Sequence, residues 1–201
     1  MDRAEESHVF LETERLILRR FTASDLDNLV DLDADPDVMR YINDGKPTPR
    51  DVIQNSALPR FLQYYERFDG FGSWAAIEKS SGDFLGRFVF QPAEDATPDE
   101  VELGYRLRKS AWGKGYGTEG SRALIRKGFT ELGVQRVVAF TYGENLRSRR
   151  VMEKAGLALV RTFRMTPARA EKLGITDLWD GDDVEYALTK TEWEHQKAAG
   201  S

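Results

Sequence analysis

Between Arg15 and Phe21 apolar and polar positions alternate in part, which is the period of a strand. Thr22 or Ser24 can cap a following helix with apolar positions at Leu26, Leu29, Val30 and Leu32. Asp35-Pro36-Asp37 opens a short helix carrying Val38, Met39 and Ile42, ended by Asn43-Asp44-Gly45. Thr48-Pro49 opens a longer helix to about residue 68, with a bend expected near Pro59. The period then becomes two: residues 73–78 and 84–90 predict antiparallel strands joined across Ser80-Ser81-Gly82-Asp83. Residues 101–108 alternate cleanly, with Val101, Leu103, Tyr105 and Leu107 on one face. Residues 117–132 predict an amphipathic helix, 136–141 a buried strand, and 145–155 a helix closed by Gly156. Residues 157–165 and 184–188 read as the last strands, and Thr191 starts a terminal turn of helix. Helices alternate with strands only in the second half. The expected fold is therefore α/β (α+β), a mixed sheet flanked by helices, in one domain over residues 13–193 with tails at 1–12 and 194–201.

The 201 residues are enough to bury a sizeable core. The net charge of −5 is unlike the broad basic surface of a nucleic-acid binder and leans towards a cationic small partner such as an amine. No apolar run approaches the roughly 20 residues that span a bilayer, and the first residues lack the pattern of a signal peptide. With no cysteine there is no disulfide, thiol nucleophile or thiolate metal site, which fits a cytoplasmic protein. His8 and His195 lie near the two ends without metal-ligand spacing, so no metal is expected.

The informative stretch follows the strand from Val101. Trp112-Gly113-Lys114-Gly115-Tyr116-Gly117-Thr118 places a glycine-rich turn at a helix start. Such a turn presents backbone N–H groups and the positive end of a helix dipole, a cradle for phosphate. Arg106, Arg108, Lys109 and Lys114 make a basic island around it. Gly115-Tyr116-Gly117-Thr118-Glu119-Gly120 also matches the dinucleotide fingerprint G-x-G-x-x-G. However, that fold wants the turn directly after a strand and an acid at the tip of the next one, where this chain has Thr141-Tyr142-Gly143.

The turn resembles the acetyl-CoA motif of the GCN5-related N-acetyltransferase (GNAT) superfamily, with Trp112 where Gln or Arg is usual. Asn145-Leu146-Arg147-Ser148-Arg149-Arg150-Val151-Met152-Glu153-Lys154-Ala155-Gly156-Leu157 is similar to a second block of its ribosomal-protein-alanine N-acetyltransferase-like branch. Leu11 to Arg19 and Asp183 to Thr189 are similar to its opening and closing blocks. The resemblance implies a splayed, mostly antiparallel sheet with acetyl-CoA wedged between the strands from Val101 and Arg136. It implies that residues 113–118 hold the pyrophosphate, that the backbone of Leu107 and Arg108 pairs with the pantetheine arm, that Asn145 bonds this arm, and that Ser148 sits near the thioester sulfur.

Direct acetyl transfer to an amine in a ternary complex needs a neutral amine and a proton for the departing thiolate. Glu102, beside Gly104 on the non-core face of its strand, is the expected base, or else a subsite for a cationic amine. Ser148 is the expected partner of the thiol, since Met152 stands where many relatives carry a tyrosine acid. The arginines at 147, 149 and 150 would meet the cofactor's 3′-phosphate or form a solvated helix face. The alternate aspartates from Asp25 to Asp37 read first as a solvated face, and second as an attractant for a cationic acceptor. Tyr64, Phe68, Phe71 and Trp74 are candidates to line an acceptor pocket, although such aromatics are more often core, and Trp179 and the loop from Thr166 to Gly181 are candidates to border it. The acceptor would be a protein N-terminus or a small amine, and the enzyme a monomer or homodimer. A non-catalytic acyl-CoA-binding regulator and a nicotinamide-dependent oxidoreductase stay open as alternatives.

Overall fold

The computed structural model describes residues 8–92, 99–166 and 181–199. In chain order its strands are β1 (Val9–Glu12), β2 (Leu16–Arg20), β3 (Gly72–Glu78), β4 (Phe84–Pro92), β5 (Glu100–Leu107), β6 (Arg136–Tyr142), β7 (Ala158–Phe163) and β8 (Asp183–Thr189). They form one sheet in the spatial order β1-β2-β3-β4-β5-β6-β8-β7. Every neighbouring pair is antiparallel except β5 and β6. Those two are parallel and pair only from Glu100 with Arg136 to Glu102 with Val138. Beyond Glu102 both strands continue without pairing, and the sheet opens there.

Helices α1 (Leu26–Ala34), α2 (Pro36–Asn43), α3 (Arg50–Val52) and α4 (Leu58–Arg67) lie between β2 and β3. Helix α5 (Tyr116–Glu131) joins β5 to β6, α6 (Leu146–Lys154) follows β6, and α7 (Lys190–Ala199) follows β8. Strand alternation divides the apolar side chains between two cores. The larger packs Phe88, Phe90, Val101 and Leu103 under Leu124, Ile125 and Phe129 of α5. The other gathers Ala75, which alternates with Trp74 and Ala76, beneath Leu29, Leu32, Ile53 and Phe61. Helix α5 comes close to the sheet because residue 120 is glycine: a Cβ there would collide with the Phe88 ring.

Three boundaries differ from the sequence expectation. Val9–Glu12, expected as tail, is an edge strand on β2, held by Phe10 stacking on Trp74 at 3.7 Å. The terminal helix runs on to Ala199, with Trp193 against Phe129 at 5.5 Å. The bend expected near Pro59 is a π turn over Ile53–Ala57, just before it, in which Leu58 N–H donates to Ile53 O. Pro59 has no N–H to give, and its ring crowds the carbonyl one turn back, so the wider turn relieves it.

Candidate active site

Past β5 a short turn over Lys109–Ala111 leads into the glycine segment. Gly113 and Gly115 have φ of 74° and 88°, the left-handed region that costs glycine little. The Trp112 indole N–H donates to Leu107 O at 2.8 Å, and the Arg147 guanidinium lies over its ring at 4.9 Å. Trp112 thus braces the segment between the end of β5 and the start of α6. The first helical bond of α5 runs from Glu119 N–H to Gly115 O at 3.0 Å. No hydrogen-bond acceptor among the described residues meets any backbone N–H from Gly113 to Thr118. A helix start leaves its first turn of donors free, and this turn extends the run backwards.

Arg15 keeps the segment in place. It donates to Lys114 O at 2.9 Å and to the Glu119 carboxylate at 2.7 Å, so carbonyl and acid turn towards β2 while the amides point elsewhere. The Tyr116 hydroxyl donates to Glu78 on β3. Arg15 was legible only as part of an opening motif; its partner lies 99 residues away in the chain.

Arg108 N–H donates to Leu85 O at 2.8 Å, back towards β4. Strand geometry then directs the N–H and C=O of Leu107 the opposite way, into the opening. The backbone expectation therefore divides: Leu107 faces the opening and Arg108 does not. Asn145 caps α6, its Oδ1 accepting from Ser148 N–H at 3.2 Å and its Nδ2 donating to Thr141 Oγ1 at 3.0 Å.

Glu102 lies where the β5–β6 pairing ends, opposite Gln91 on β4. Burial pushes its carboxyl above the ordinary range. Neither hydrogen bond nor ion pair reaches its side chain among the described residues. Glu102, Gly104 and Arg106 share a face with Gln91, Val89 and Arg87, and all of them are half-buried. The alternating positions Phe88, Phe90, Val101 and Leu103 are sealed. The half-buried face of β4 and β5, a trough between the sealed positions, carries Glu102 at one end and meets α1 and α4 through Arg106 and Arg87 at the other.

Ser148 is on the first turn of α6. The Tyr105 hydroxyl lies 2.9 Å from the Ser148 carbonyl and 3.0 Å from its Oγ, so the two hydroxyls can exchange donor and acceptor roles. Burial pushes the Tyr105 phenol well above its ordinary value, so the proton is retained. Tyr105 lies on the expected core face and packs against that core with its hydroxyl turned to Ser148. Met152, at the position of the missing tyrosine acid, is buried.

An acetyltransferase (GNAT) domain model matches residues 15–158. The FsC-acetyl coenzyme A-N(2)-transacetylase of Aspergillus fumigatus is 32% identical over 190 residues, which cover 91% of this chain and 77% of that one. The chain belongs to the GNAT acetyltransferase family. A GNAT-family acetyltransferase from Bacillus anthracis has a similar structure, with a TM-score of 0.72 at 25% identity, covering 90% of this chain and 98% of that one. RimL, a ribosomal L7/L12 α-N-protein acetyltransferase in complex with coenzyme A, shares the fold with a TM-score of 0.72 at 16% identity, covering 90% and 98%. The enzyme class is that of acetyl-CoA-dependent N-acetyltransferases.

In this GNAT acetyltransferase much of the basic island is already neutralised. Arg106 pairs with Asp33, Lys109 with Asp37, and Arg108 lies 3.8 Å from Asp31. The aspartate string is correspondingly committed: Asp25 binds Arg19 at 2.7 Å, Asp27 binds Arg50 at 2.7 Å, and Asp35 caps α2. Lys114 alone of the island has no carboxylate partner among the described residues. Of the arginine cluster on α6, Arg149 is bound to Tyr186 Oη and Gly143 O, both at 3.0 Å. Instead, a recess of about 780 Å³ along α5 carries Arg15, Arg122, Arg126 and Lys154 beside Gly115 and Thr118. Trp74 and Phe71 are core residues, and the Tyr64 and Phe68 rings meet at a tilt of 33° with centroids 4.7 Å apart. Residues 167–180, with Trp179, lie outside the described residues. No helix among the described residues is long and apolar enough to cross a membrane.

Proposed function

We propose that this acetyltransferase moves the acetyl group of acetyl-CoA directly to a primary amine while both are bound. The observation that carries this reading is the run of unpaired amides from Gly113 to Thr118 at the start of α5, beside the opening of the sheet. Consecutive N–H donors at the positive end of a helix fit a pyrophosphate, and Lys114 adds a charge. Leu107 N–H and the Asn145 amide would meet the pantetheine arm, and Trp112 holds the segment that carries these donors. When bound, acetyl-CoA supplies an activated acetyl group as a thioester.

The chain's own residues handle the protons. Glu102, desolvated and without a cation beside it, takes the proton of an ammonium arriving along the trough. Ser148 Oγ, with Tyr105 behind it, holds a proton near the first turn of α6, where the thiol would be released. The relatives' names cover unlike acceptors, among them a ribosomal protein α-amine and an aminoglycoside. An α-amine is easier to deprotonate than a lysine by roughly 3–4 kcal/mol at neutral pH, which favours it without excluding small amines.

Release of free thiol from acetyl-CoA is the test, followed with a panel of α-amino peptides and small amines. At least one amine should raise the rate well above hydrolysis. If no amine does so while acetyl-CoA still binds, the protein is a binding regulator. Stabilisation by NADPH and not by acetyl-CoA would overturn the cofactor assignment as well.

A further inference from the structure

Arg87 lies on β4 directly across from Arg106, on the sheet face that carries Glu102. Its guanidinium is 5.1 Å from the centre of the Phe61 ring of α4, and its side chain is half-buried. Neither hydrogen bond nor ion pair reaches it among the described residues. Asp33, the carboxylate nearby, is engaged by Arg106 and by Thr48 Oγ1 at 2.9 Å. Arg60 and Arg106 surround Arg87 with further positive charge. A guanidinium does not shed its proton in a protein, and desolvating one without a counterion is costly. The fold nevertheless keeps this cation without a direct carboxylate partner among the described residues, on the strand face that runs past Val89 and Gly104 and ends at Glu102.

We propose that Arg87 is an anion subsite of the acceptor trough, and that the amine acceptor carries a carboxylate which this guanidinium binds. The inference rests on the reading of Glu102 as the place where the amine is deprotonated. Arg87 and Gln91, the partner of Glu102, are four strand positions apart, about 13 Å before side-chain reach is deducted. The carboxylate therefore stands on the order of 10 Å from the amine. The α-carboxylate of a free amino acid is too close. An acidic side chain at the second or third residue of a peptide spans this distance, and so does the end of a long ω-amino acid. The planar guanidinium suits a carboxylate, which it can grip through two parallel bonds.

Two substrate pairs separate these sources. One is the amidated peptide Ser-Ala-Glu-Ala-Ala and its Gln counterpart; the other is 8-aminooctanoate and its amide. Acetylation is followed at saturating acetyl-CoA in the wild type, Arg87→Gln and Arg87→Lys. In at least one pair the wild type should favour the carboxylate by roughly 10- to 100-fold in kcat/KM. That ratio should fall towards one in Arg87→Gln and be partly kept in Arg87→Lys. Preference in the peptide pair identifies a polypeptide acceptor, and preference in the other pair a small molecule. Equal use of both members in both pairs overturns the proposal without reference to any variant, and so does a preference that survives Arg87→Gln.

A binding arm separates this inference from the catalytic reading. The same Glu peptide, blocked by N-terminal acetylation, cannot react but should raise the wild-type Tm more than its Gln counterpart does. If that difference is present while no amine releases thiol, the anion site stands and acetyl transfer falls. If thiol is released but neither substrate pair discriminates, acetyl transfer stands and the anion site falls.

Discussion

Glu102 is a half-buried carboxylate with no cation paired to it among the described residues. Its folded pKa is raised, so the stability linked to its protonated form is fully present below the ordinary carboxylate range. That stability is lost as pH rises through the raised value. Glu102→Gln should therefore be no less stable than the wild type at pH 8, with the Tm difference moving in the variant's favour from pH 5 to pH 8. Thermal melts at the two values check this. The same substitution should lower kcat/KM by roughly 100-fold or more near neutrality and remove the ascending limb of the pH profile, which in the wild type lies above the ordinary carboxylate range. An unchanged limb would take the base role from Glu102. At the other end of the chemistry, Ser148→Ala and Tyr105→Phe should each lower kcat, and the double variant should lose less than the product of the two effects, because the hydroxyls act as one pair. Full additivity would mean that they work separately. Ser148 could be singled out in the sequence by the block around it. Tyr105 could not, because alternation reports which way a strand residue points and not what stands above it 43 residues later.

The turn before α5 and the helix itself use glycine for two functions that a sequence pattern does not tell apart. A Cβ on Gly113 would meet nothing within 4 Å, so Gly113→Ala keeps its neighbours and meets only the left-handed φ, a cost of about 1–2 kcal/mol. Because those strained dihedrals set the aim of the free amides, the variant should stay folded and bind acetyl-CoA more weakly. Gly120→Ala drives a methyl into the Phe88 ring and should lose stability before affinity. Denaturation midpoints with and without acetyl-CoA separate the two variants; equal loss of stability in both would remove the distinction. The cradle was legible because its glycines are adjacent in the chain. The clamp on it, from Arg15 to Lys114 and Glu119, is a tertiary arrangement with no sequence period. Strand β1 escaped notice for a related reason: four residues are too few to display a period, and what orders them is an aromatic stack on Trp74. The π turn, in contrast, had a visible cause in Pro59, and only its extent had to come from the structure.

At the scale of the molecule the two parts of the sheet share only the short β5–β6 ladder, and ion pairs tie α1 and α2 to the far end of β5. The Arg106–Asp33 pair is the buried one among them. Asp33→Ala would leave Arg106 and Arg87 together without a carboxylate and should cost roughly 3–5 kcal/mol, read as a fall in the urea midpoint. A change below 1 kcal/mol would show that solvent already compensates these cations. From β2 onwards the order of the strands and of the longer helices was readable from hydrophobic period, since those elements are longer than the repeat that marks them. Composition counts charges without pairing them: the acidic string and the basic island are separate along the chain and neutralise each other in space.

The position of β8 bears on how the chain is made. It is the last strand in the sequence and lies between β6 and β7, pairing with both. A ribosome delivers β6 and β7 first, and until β8 has emerged β6 has only its short ladder with β5 and β7 has no partner among the described strands. The nascent polypeptide therefore passes through a stage with two open strand edges close to the tunnel exit, the condition under which strands join the wrong partner. Insertion of β8 pairs both strands at once, so the sheet is completed only after β8 has left the ribosome, and ribosome-stalled chains ending before Asp183 should be trapped by holdase chaperones far more than released chains that contain β8.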